Sequence, residues 1–426
     1  MRLSQLFTKT LREAPADEMA LNAQYLIRGG FISKVMSGVY EYLPLGWRVL
    51  NKINKIIREE MDAIDGQELY MSVLQDKETW TTTGRWDSAK EVMYQFKDNS
   101  GKDFGLGWTH EEPLTKVARH FIGSYRDLPK AVYQIQTKFR NEPRAKSGLL
   151  RGREFLMKDL YSFHATERDL DEYYEKVAEA YKNIFRRTGV KAIRTLASGG
   201  LFSKFSDEFQ VLSDVGEDTV FICQNCDYAS NAEVAEKNGI CPKCFSKDLG
   251  QTDSTDSPQV DKKMKEEKSI EVGNIFKLGS KFSTAFELNY IDEKGQSQPV
   301  MMASYGIGPS RLMATVVETN NDFNGIIWPE SIAPYKAHLI VLDDKKEESE
   351  KLYRDMMREN IEVLYDDRED KTAGEKFADA DLIGCPIRIV ISRKTLEKNS
   401  AEIKKRNEKE LNLVKLSDVI PALLDN

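Results

Sequence analysis

The chain has 426 residues, 40% of them hydrophobic and 31% charged, which is the composition of a soluble globular protein with apolar material for roughly two to three cored domains. No apolar run reaches the roughly 18 residues of a membrane span, and the N-terminal MRLSQLFTKTLREAPADE lacks the apolar stretch of a secretory signal, so the cytoplasm is the expected compartment. A net charge of −7 argues against a protein that coats nucleic acid non-specifically, while leaving room for a local basic groove.

Leu45, Val49, Ile53, Ile56, Ile57, Met61 and Ile64 recur at helical spacing and predict a helix over 44–64, with Gly66 placed to stop it. ELYMSVLQ (68–75) then reads as a strand, DFGLGWT (103–109) as another, and 110–126 as a helix. Thr109 with Glu112 at the start of that helix has the spacing of a capping box. Residues 133–163, YQIQTKFRNEPRAKSGLLRGREFLMKDLYSF, read as two strands joined by a loop, and 167–187 as a further helix.

The five cysteines are few, and four are clustered as C-x2-C-x14-C-x2-C: Cys223, Cys226, Cys241 and Cys244. In a reducing compartment this is metal-ligand usage rather than a disulfide framework. Four thiolates fill a tetrahedral Zn²⁺, leaving no open position, so the site would be structural. Four reduced cysteines without metal is the plain alternative; Cys385 stands apart as a core residue.

Residues 245–269 are polar and poor in aromatics and read as a flexible connector. Strand character returns at 269–279, 283–292 and 299–308. In ASYGIGPSR (303–311), Gly306 and Gly308 allow close backbone approach to a ligand and Arg311 falls in the first turn of a helix, although Gly-x-Gly before Arg is also an ordinary turn. WPESIAPY (328–335) carries two prolines and marks a boundary. Beyond it, strand, helix, strand, helix and strand follow in turn, which predicts a small mixed or parallel α/β sheet.

The hairpin of 133–163 carries charge where a buried strand would want none. Alternate strand residues share a face. Gln134, Gln136, Lys138, Arg140 and Glu142 therefore fall together on the first strand, and Arg151, Arg153, Phe155, Met157, Asp159 and Tyr161 on the second. A solvated sheet face is one reading. The other is a binding floor for an anion carrying a flat ring: Arg offers a rigid fork for phosphate oxygens, Phe155 a stacking surface, and Glu142 an acceptor for an exocyclic amine.

Phe139-Arg140-Asn141-Glu142, followed by Arg151 to Phe155, resembles motif 2 of the class II aminoacyl-tRNA synthetases. YQIQTKFRNE, REFLMKDLYSFH, EFQVL, EVGNIF, YGIGPSR and DDRED…GEKFADADLIG resemble the bacterial-type prolyl-tRNA synthetases, over nearly the whole chain from SGVYEYLPLG onward. The resemblance implies an α+β catalytic domain (1–212 and 270–330) with an antiparallel sheet flanked by helices. Between its two segments the chain leaves room only for a short insertion (213–269) with the zinc-ribbon-like cysteine spacing, and the resemblance also implies a C-terminal α/β anticodon-binding domain (334–426). It implies a proline–tRNA ligase that uses ATP and Mg²⁺, charges tRNA(Pro) and is a homodimer built through motif 1, the helix 44–64 and the strand after it.

The same resemblance gives the site residues their roles. Arg140 would hold the ATP α-phosphate and the substrate carboxylate, Glu142 the adenine amine, Phe155 the adenine face, Arg151 the outer phosphates and Arg311 the γ-phosphate. Glu271 matches a lining position facing Mg²⁺ or ribose. Thr109 and Glu111 would grip the ring nitrogen of proline, a secondary ammonium that wants acceptors. Met157, Asp159 and Tyr161 would wall the proline pocket, and Arg144 would meet the tRNA acceptor end. The stretch between motifs 2 and 3 is too short for the family's large editing domain, so no editing in cis is expected.

The chain departs from the family pattern at Asn274 and Asp207, where histidines are usual. It also departs in GGLFSKFSDEF (199–209), at Trp108 and at Ser72. The first four are expected at the rim of the site, Ser72 at the dimer contact. Two rivals stand beside the leading reading: a class II synthetase for another amino acid such as threonine, and a non-catalytic RNA-binding paralogue.

Overall fold

The computed structural model describes the chain except for residues 144, 146, 201–202, 236–238, 245–262, 344 and 425–426. Its contacts form two compact units: residues 54–145 with 150–315, and residues 1–53 with 146–149 and 316–426. These units differ from the segments drawn from sequence. Residues 1–53 group with the C-terminal segment because the chain's start is tied to it: the Met1 carbonyl accepts from Tyr365 N–H at 2.9 Å and Arg2 pairs with Glu350 and Asp367. The strands described within 213–269 join the main sheet of the larger unit.

Helix α1 (Pro44–Asp62) buries Leu45, Val49, Ile53, Ile56, Ile57 and Met61, the stripe expected from their spacing. The larger unit is built on nine strands: β1 (Gln67–Glu68), β2 (Lys130–Phe139), β3 (Glu154–His164), β4 (Ala192–Ser198), β5 (Phe205–Leu212), β6 (Asp218–Cys223), β7 (Ala229–Asn231), β8 (Met264–Gly279) and β9 (Met301–Ile307). Their order is β5-β4-β7-β6-β8-β9-β3-β2-β1, with β5 also pairing β8. The pairing is antiparallel throughout, apart from β1 on β2 and a single β7–β4 contact.

Helix α2 (Glu111–Ala118) begins with Glu111 and Glu112, directly after Thr109 and His110, and α3 (Glu167–Arg187) covers one face of the sheet. Thr166 caps α3 by accepting from Asp169 N–H at 3.2 Å. Along α3, Tyr174, Val177, Ala178, Tyr181, Ile184 and Phe185 are buried, a period near four that places one stripe on the sheet.

Four sequence-based elements are corrected. The strand expected over 68–75 survives only as Gln67–Glu68 and Leu74–Asp76, because the Ser72 carbonyl between them accepts from the side chains of His110 (3.0 Å) and Gln75 (2.6 Å) instead of a strand neighbour. The helix over 110–126 ends at Ala118; Ser124 and Asp127 form a capping box on a separate 3-10 turn. The strand over 283–292 is a short helix, Lys281–Ala285, followed by Asn289–Ile291, because Ser283 turns its hydroxyl onto the Ser280 and Val300 carbonyls. The connector over 245–269 gives way to strand from Met264, where charged side chains had hidden the ladder with β6; residues 245–262 lie outside the described residues.

Helix α4 (Pro309–Thr319) follows β9. In the smaller unit, β10 (Ala337–Val341), β11 (Val363–Asp366), β12 (Ile387–Ile391), β13 (Ser400–Lys405) and β14 (Asn412–Lys415) form one sheet in the order β11-β10-β12-β13-β14. β10 is parallel to β11 and β12, and the remaining pairs are antiparallel, the mixed sheet expected. All five residues of β10 are buried, as a strand covered on both faces requires. Leu339, Val363 and Ile389 pack with Leu352 and Met356 of α5 (Lys346–Arg358); Ile340 and Val390 pack with Ala380 of α6 (Ala373–Ile383). Cys385 is buried, as expected of a core residue.

Candidate functional site

The register of the large sheet assembles one polar floor. Gln134, Gln136 and Lys138 of β2 stand directly opposite Asp159, Met157 and Phe155 of β3. Asp159 stands opposite Gly306 of β9, Gly306 opposite Asn274 of β8, and Asn274 opposite Glu208 of β5. Directly paired residues share a face, so a row of polar groups crosses five strands. It is not a solvated face: Gln134, Gln136, Lys138 and Asp159 are all buried. A Cβ on Gly306 would still have 3.9 Å to its nearest neighbour, so the missing side chain keeps space open above the floor.

Asp159 is held from several sides. Gln134 Nε2 and the Tyr161 hydroxyl each donate to it at 3.0 Å, and Lys138 Nζ lies 2.8 Å away. Lys138 also donates to His110 Nδ1 at 2.8 Å, which leaves the His110 Nε2–H for the Ser72 carbonyl. Burial raises the Asp159 carboxyl, but the Lys138 charge and the hydrogen bonds from Lys138 and Gln134 outweigh it and hold it below its ordinary value. Burial and the Lys138 charge together push His110 down, which keeps the imidazole neutral.

Thr109 and Glu111 meet as expected, with the Thr109 hydroxyl donating to both Glu111 oxygens at 2.7 and 2.8 Å. The capping-box reading fails: α2 starts at Glu111 with His110 as its N-cap, and Glu112 instead accepts from Arg85 and Thr83, each at 2.9 Å. Arg85 reaches Glu111 as well, at 3.2 Å, and lies 4.6 Å from the centre of the Trp108 ring. Burial, opposed by Arg85, raises Glu112 to about 7.

The strand β2 stops at Phe139, so Arg140, Glu142, Arg151 and Arg153 sit on the loop between β2 and β3 rather than on the strands. Arg140 lies 5.2 Å from the Phe155 ring centre, and its Nε is buried with no acceptor among the described residues. Burial and the Arg311 charge lower it, so Arg140 is a cation that lacks its full complement of anions. Glu142 pairs with Arg151 at 2.8 Å, and Arg151 also pairs with Glu217 at 2.7 Å. Arg153 Nε donates to the Glu142 carbonyl at 2.9 Å and so braces the loop. Arg311 Nε donates to the Leu150 carbonyl at 2.7 Å, and its Nη1 pairs with Glu271 at 3.1 Å. Glu208 lies near Glu271; burial and then the Glu271 charge raise its carboxyl to about 7. Arg144 lies outside the described residues.

Among the departures, Asn274 is on the floor, with its side-chain nitrogen 3.4 Å from Glu208. Asp207 is not at the rim. Its neighbour Glu208 faces the floor, so Asp207 points to the other side, where it accepts from Tyr174 of α3 (2.8 Å) and Arg194 (3.0 Å). Sequence reasoning did not single out Arg85, His110, Glu208 or Glu217. Lys138 was visible as a member of the polar alternation, without its partner Asp159.

Cys223, Cys226, Cys241 and Cys244 bring their sulfurs within 4.8 Å of one another, with Cys223–Cys244 at 3.7 Å and Cys226–Cys241 at 3.6 Å. Four thiolates around one tetrahedral Zn²⁺ at about 2.3 Å would stand about 3.8 Å apart. The donor set and its spacing therefore suit zinc.

Residues 94–320 match the family model described as tRNA synthetase class II core domain (G, H, P, S and T), and residues 332–426 match the anticodon binding domain. The chain is 35% identical to the proline–tRNA ligase of Staphylococcus haemolyticus, over 98% of each chain. It is 35% identical to that of Bacillus subtilis, over 93% of this chain and 95% of the relative. The first of these alignments runs over 558 positions against 426 residues here, so well over a hundred residues of the relative face a gap. The prolyl-tRNA synthetase of Cryptosporidium parvum, solved in complex with L-proline and AMP, superposes with a TM-score of 0.75 at 18% identity, covering 95% of this chain and 74% of that one. Among the described residues, no helix is long and apolar enough to cross a membrane.

Proposed function

The chain belongs to the proline–tRNA ligases, with a class II catalytic core and an anticodon-binding domain, and from that premise we propose that it activates L-proline with ATP and transfers it to tRNA(Pro). The observation that carries this reading is the meeting of Arg140, Phe155, Arg311 and the Thr109–Glu111 pair around one buried polar floor.

A carboxylate oxygen of proline attacks the α-phosphorus of ATP in line. The bond from that phosphorus to the bridging oxygen breaks, and pyrophosphate leaves with the electron pair. The terminal ribose hydroxyl of tRNA then attacks the prolyl carbonyl carbon and AMP departs. No protein nucleophile is required; positioning and cationic charge supply the rate. Arg140, short of anions, takes the α-phosphate and the proline carboxylate, and Phe155 stacks on adenine. Glu142 exchanges part of its hold on Arg151 for the adenine amine, and Arg151 and Arg311 face the outer phosphates. The Glu111 carboxylate, oriented by Thr109 and Arg85, accepts from the proline ammonium. Asp159 is held by Lys138, Gln134 and Tyr161, so it shapes the pocket with Met157 and Tyr161. Glu271 and Glu208 offer the oxygen donors that suit Mg²⁺, which would add charge neutralisation at the phosphates.

Further parts of the reading rest on the family, on the cysteine spacing for the zinc, and on the short stretch between motifs 2 and 3 for the editing site. The segments 1–212 with 270–330 serve catalysis, 334–426 serves the anticodon, and 213–269 carries a structural zinc. Arg144 meets the acceptor end, the enzyme is a cytoplasmic homodimer through α1 and the chain after it, and it has no editing site in cis. A proline-sized pocket rejects alanine by only about 1–3 kcal/mol, so correction of alanyl-tRNA would fall to another protein.

ATP–pyrophosphate exchange measured across a set of amino acids tests the proposal. Proline-dependent exchange is expected. Exchange with threonine and not with proline would overturn it in favour of a related synthetase, and tRNA binding without any adenylate formation would make the chain a non-catalytic paralogue.

A further inference from the structure

The four cysteines lie far along the chain from the nucleotide-binding residues, yet two strands join them. Cys223 ends β6, and the first knuckle turns back on it through a hydrogen bond from Cys223 N–H to the Tyr228 carbonyl at 2.9 Å. The second knuckle is tied to the start of β8: Ile240 bridges Lys263, and Met264 N–H donates to the Gly239 carbonyl at 3.0 Å. β6 and β8 then run antiparallel from Cys223 opposite Met264 to Asp218 opposite Ser269. At the far end of this ribbon stand Glu217 and Glu271. Glu217 pairs with Arg151 and Glu271 with Arg311.

The far end is closely fitted. Gly216 lies against the Ser269 backbone, where an added Cβ would come within 2.1 Å of the carbonyl oxygen. Ser213 N–H donates to the Lys268 carbonyl at 3.0 Å, and Gly216 N–H to the Ser213 carbonyl at 2.9 Å. The ribbon's register therefore decides where the Glu217 carboxylate stands. β6 has six residues and spans roughly 20 Å, so a metal holding both knuckles fixes the ribbon at the end opposite to Glu217.

We propose that the four-thiolate centre acts as a distal clamp on the ATP site, and that Glu217 is the positioning residue through which it acts. The inference rests on the reading of Arg151 as a ligand of the outer phosphates. Arg151 is held between Glu142 and Glu217. When Glu142 turns to the adenine amine, Glu217 is the carboxylate that keeps the Arg151 guanidinium in place. Loss of the metal lets the knuckles separate and the ribbon fray from Cys223 and Met264, and Glu217 loses its fixed place. The Arg151–Glu217 pair is part-exposed, so the expected effect is moderate and falls on ATP rather than on proline.

The test uses the full chain. Zinc content is measured first, with about one ion per chain expected. Pyrophosphate exchange is then measured as a function of ATP and of proline for Glu217→Gln, Glu217→Asp and Cys244→Ser. Glu217→Gln is expected to raise KM for ATP about threefold to tenfold with kcat and KM for proline little changed, and Glu217→Asp to recover part of the loss. Cys244→Ser should raise KM for ATP to a similar degree. Its hydrogen exchange should rise in 218–223 and 264–269 while β2 and β3 keep their protection, and in the double variant the effects on KM should not add. Unchanged KM for ATP in Glu217→Gln, an equal rise for proline, or unchanged exchange protection in Cys244→Ser would each overturn the proposal. Absence of proline-dependent exchange in the parent protein would instead remove the functional reading, while the hydrogen-exchange result would still decide whether the metal clamps the ribbon.

Discussion

Lys138 and Lys158 are both wholly buried, on neighbouring strands of one sheet, and the protein keeps them in opposite ways. Lys138 faces the floor and meets a carboxylate, Asp159, at 2.8 Å, with His110 as its second partner. Lys158 faces α3. It donates to the Tyr181 hydroxyl at 2.6 Å and the Tyr305 carbonyl at 3.1 Å, and no ion pair accompanies those bonds among the described residues. Its partner Tyr181 packs on Phe185 and Phe209, and Tyr305 packs on Tyr174, whose hydroxyl donates to Asp207 beside Arg194. One face of the sheet thus gathers charge in compensated pairs and leaves the Arg140 Nε without an acceptor among the described residues. The other face uses aromatic packing and single hydrogen bonds. A buried charge array with an incomplete partner set is what a ligand completes; an aromatic layer with satisfied hydroxyls is what holds a sheet to a helix.

The largest effect that would break this contrast comes from the floor's incomplete cation. Arg140→Ala is expected to lower proline-dependent pyrophosphate exchange by about 10²–10³-fold or more, because the residue is placed at the oxygen where charge develops. Its thermal melting should shift little, since among the described residues no ion pair is lost. An active Arg140→Ala variant would mean that the two faces do not divide chemistry from structure in this way.

The next effect sharpens the contrast by exchanging each lysine for the chain of similar length that lacks its charge. Lys138→Met leaves Asp159 buried without its cation, and such losses cost about 3–5 kcal/mol. Lys158→Met strands a carbonyl and a hydroxyl but no charge, for about 1–3 kcal/mol. Urea unfolding of the two variants in parallel should therefore rank Lys138→Met as clearly the less stable. Equal losses would say that Asp159 is satisfied by Gln134 and Tyr161 alone.

The difference between the faces also decided what could be read from the amino acids. The floor was legible because polar residues recur with period two over Gln134, Gln136 and Lys138, an alternation that only a sheet with a reason to bury polarity keeps. Arg140, Phe155 and Arg311 were legible by resemblance, and the cysteine spacing stood on its own. Arg85 was not legible: it sits in a four-residue helix and reaches Glu111 and Glu112 only through tertiary packing under Trp80 and Trp108. Glu217 was hidden for the same reason, since its partner Arg151 is 66 residues away. The broken strand at 68–75 was misread because its backbone partners are the side chains of His110 and Gln75, and propensity carries no information about such partners. Asp207 was placed at the rim by analogy, whereas the two-residue period puts it behind the sheet next to Tyr174.

The smallest expected effect is also the most specific to Lys158. Burial lowers its ammonium well below the ordinary lysine value, opposed by the Asp159 charge. The unfolded chain therefore binds more protons than the folded chain at every pH between the depressed value and the ordinary one of about 10.4. Stability gains as pH rises through that window and levels off above it; as pH falls, the part that depends on neutral Lys158 is lost. Lys158→Met removes this group, so its urea midpoint should vary less between about pH 7 and pH 10 than that of the parent. Lys138 is also lowered by burial, but Asp159 opposes the shift through both charge and a hydrogen bond. If the parent's midpoint is already flat across that range, Lys158 is held charged by its tyrosine and carbonyl partners, and the back face would be as electrostatically compensated as the front.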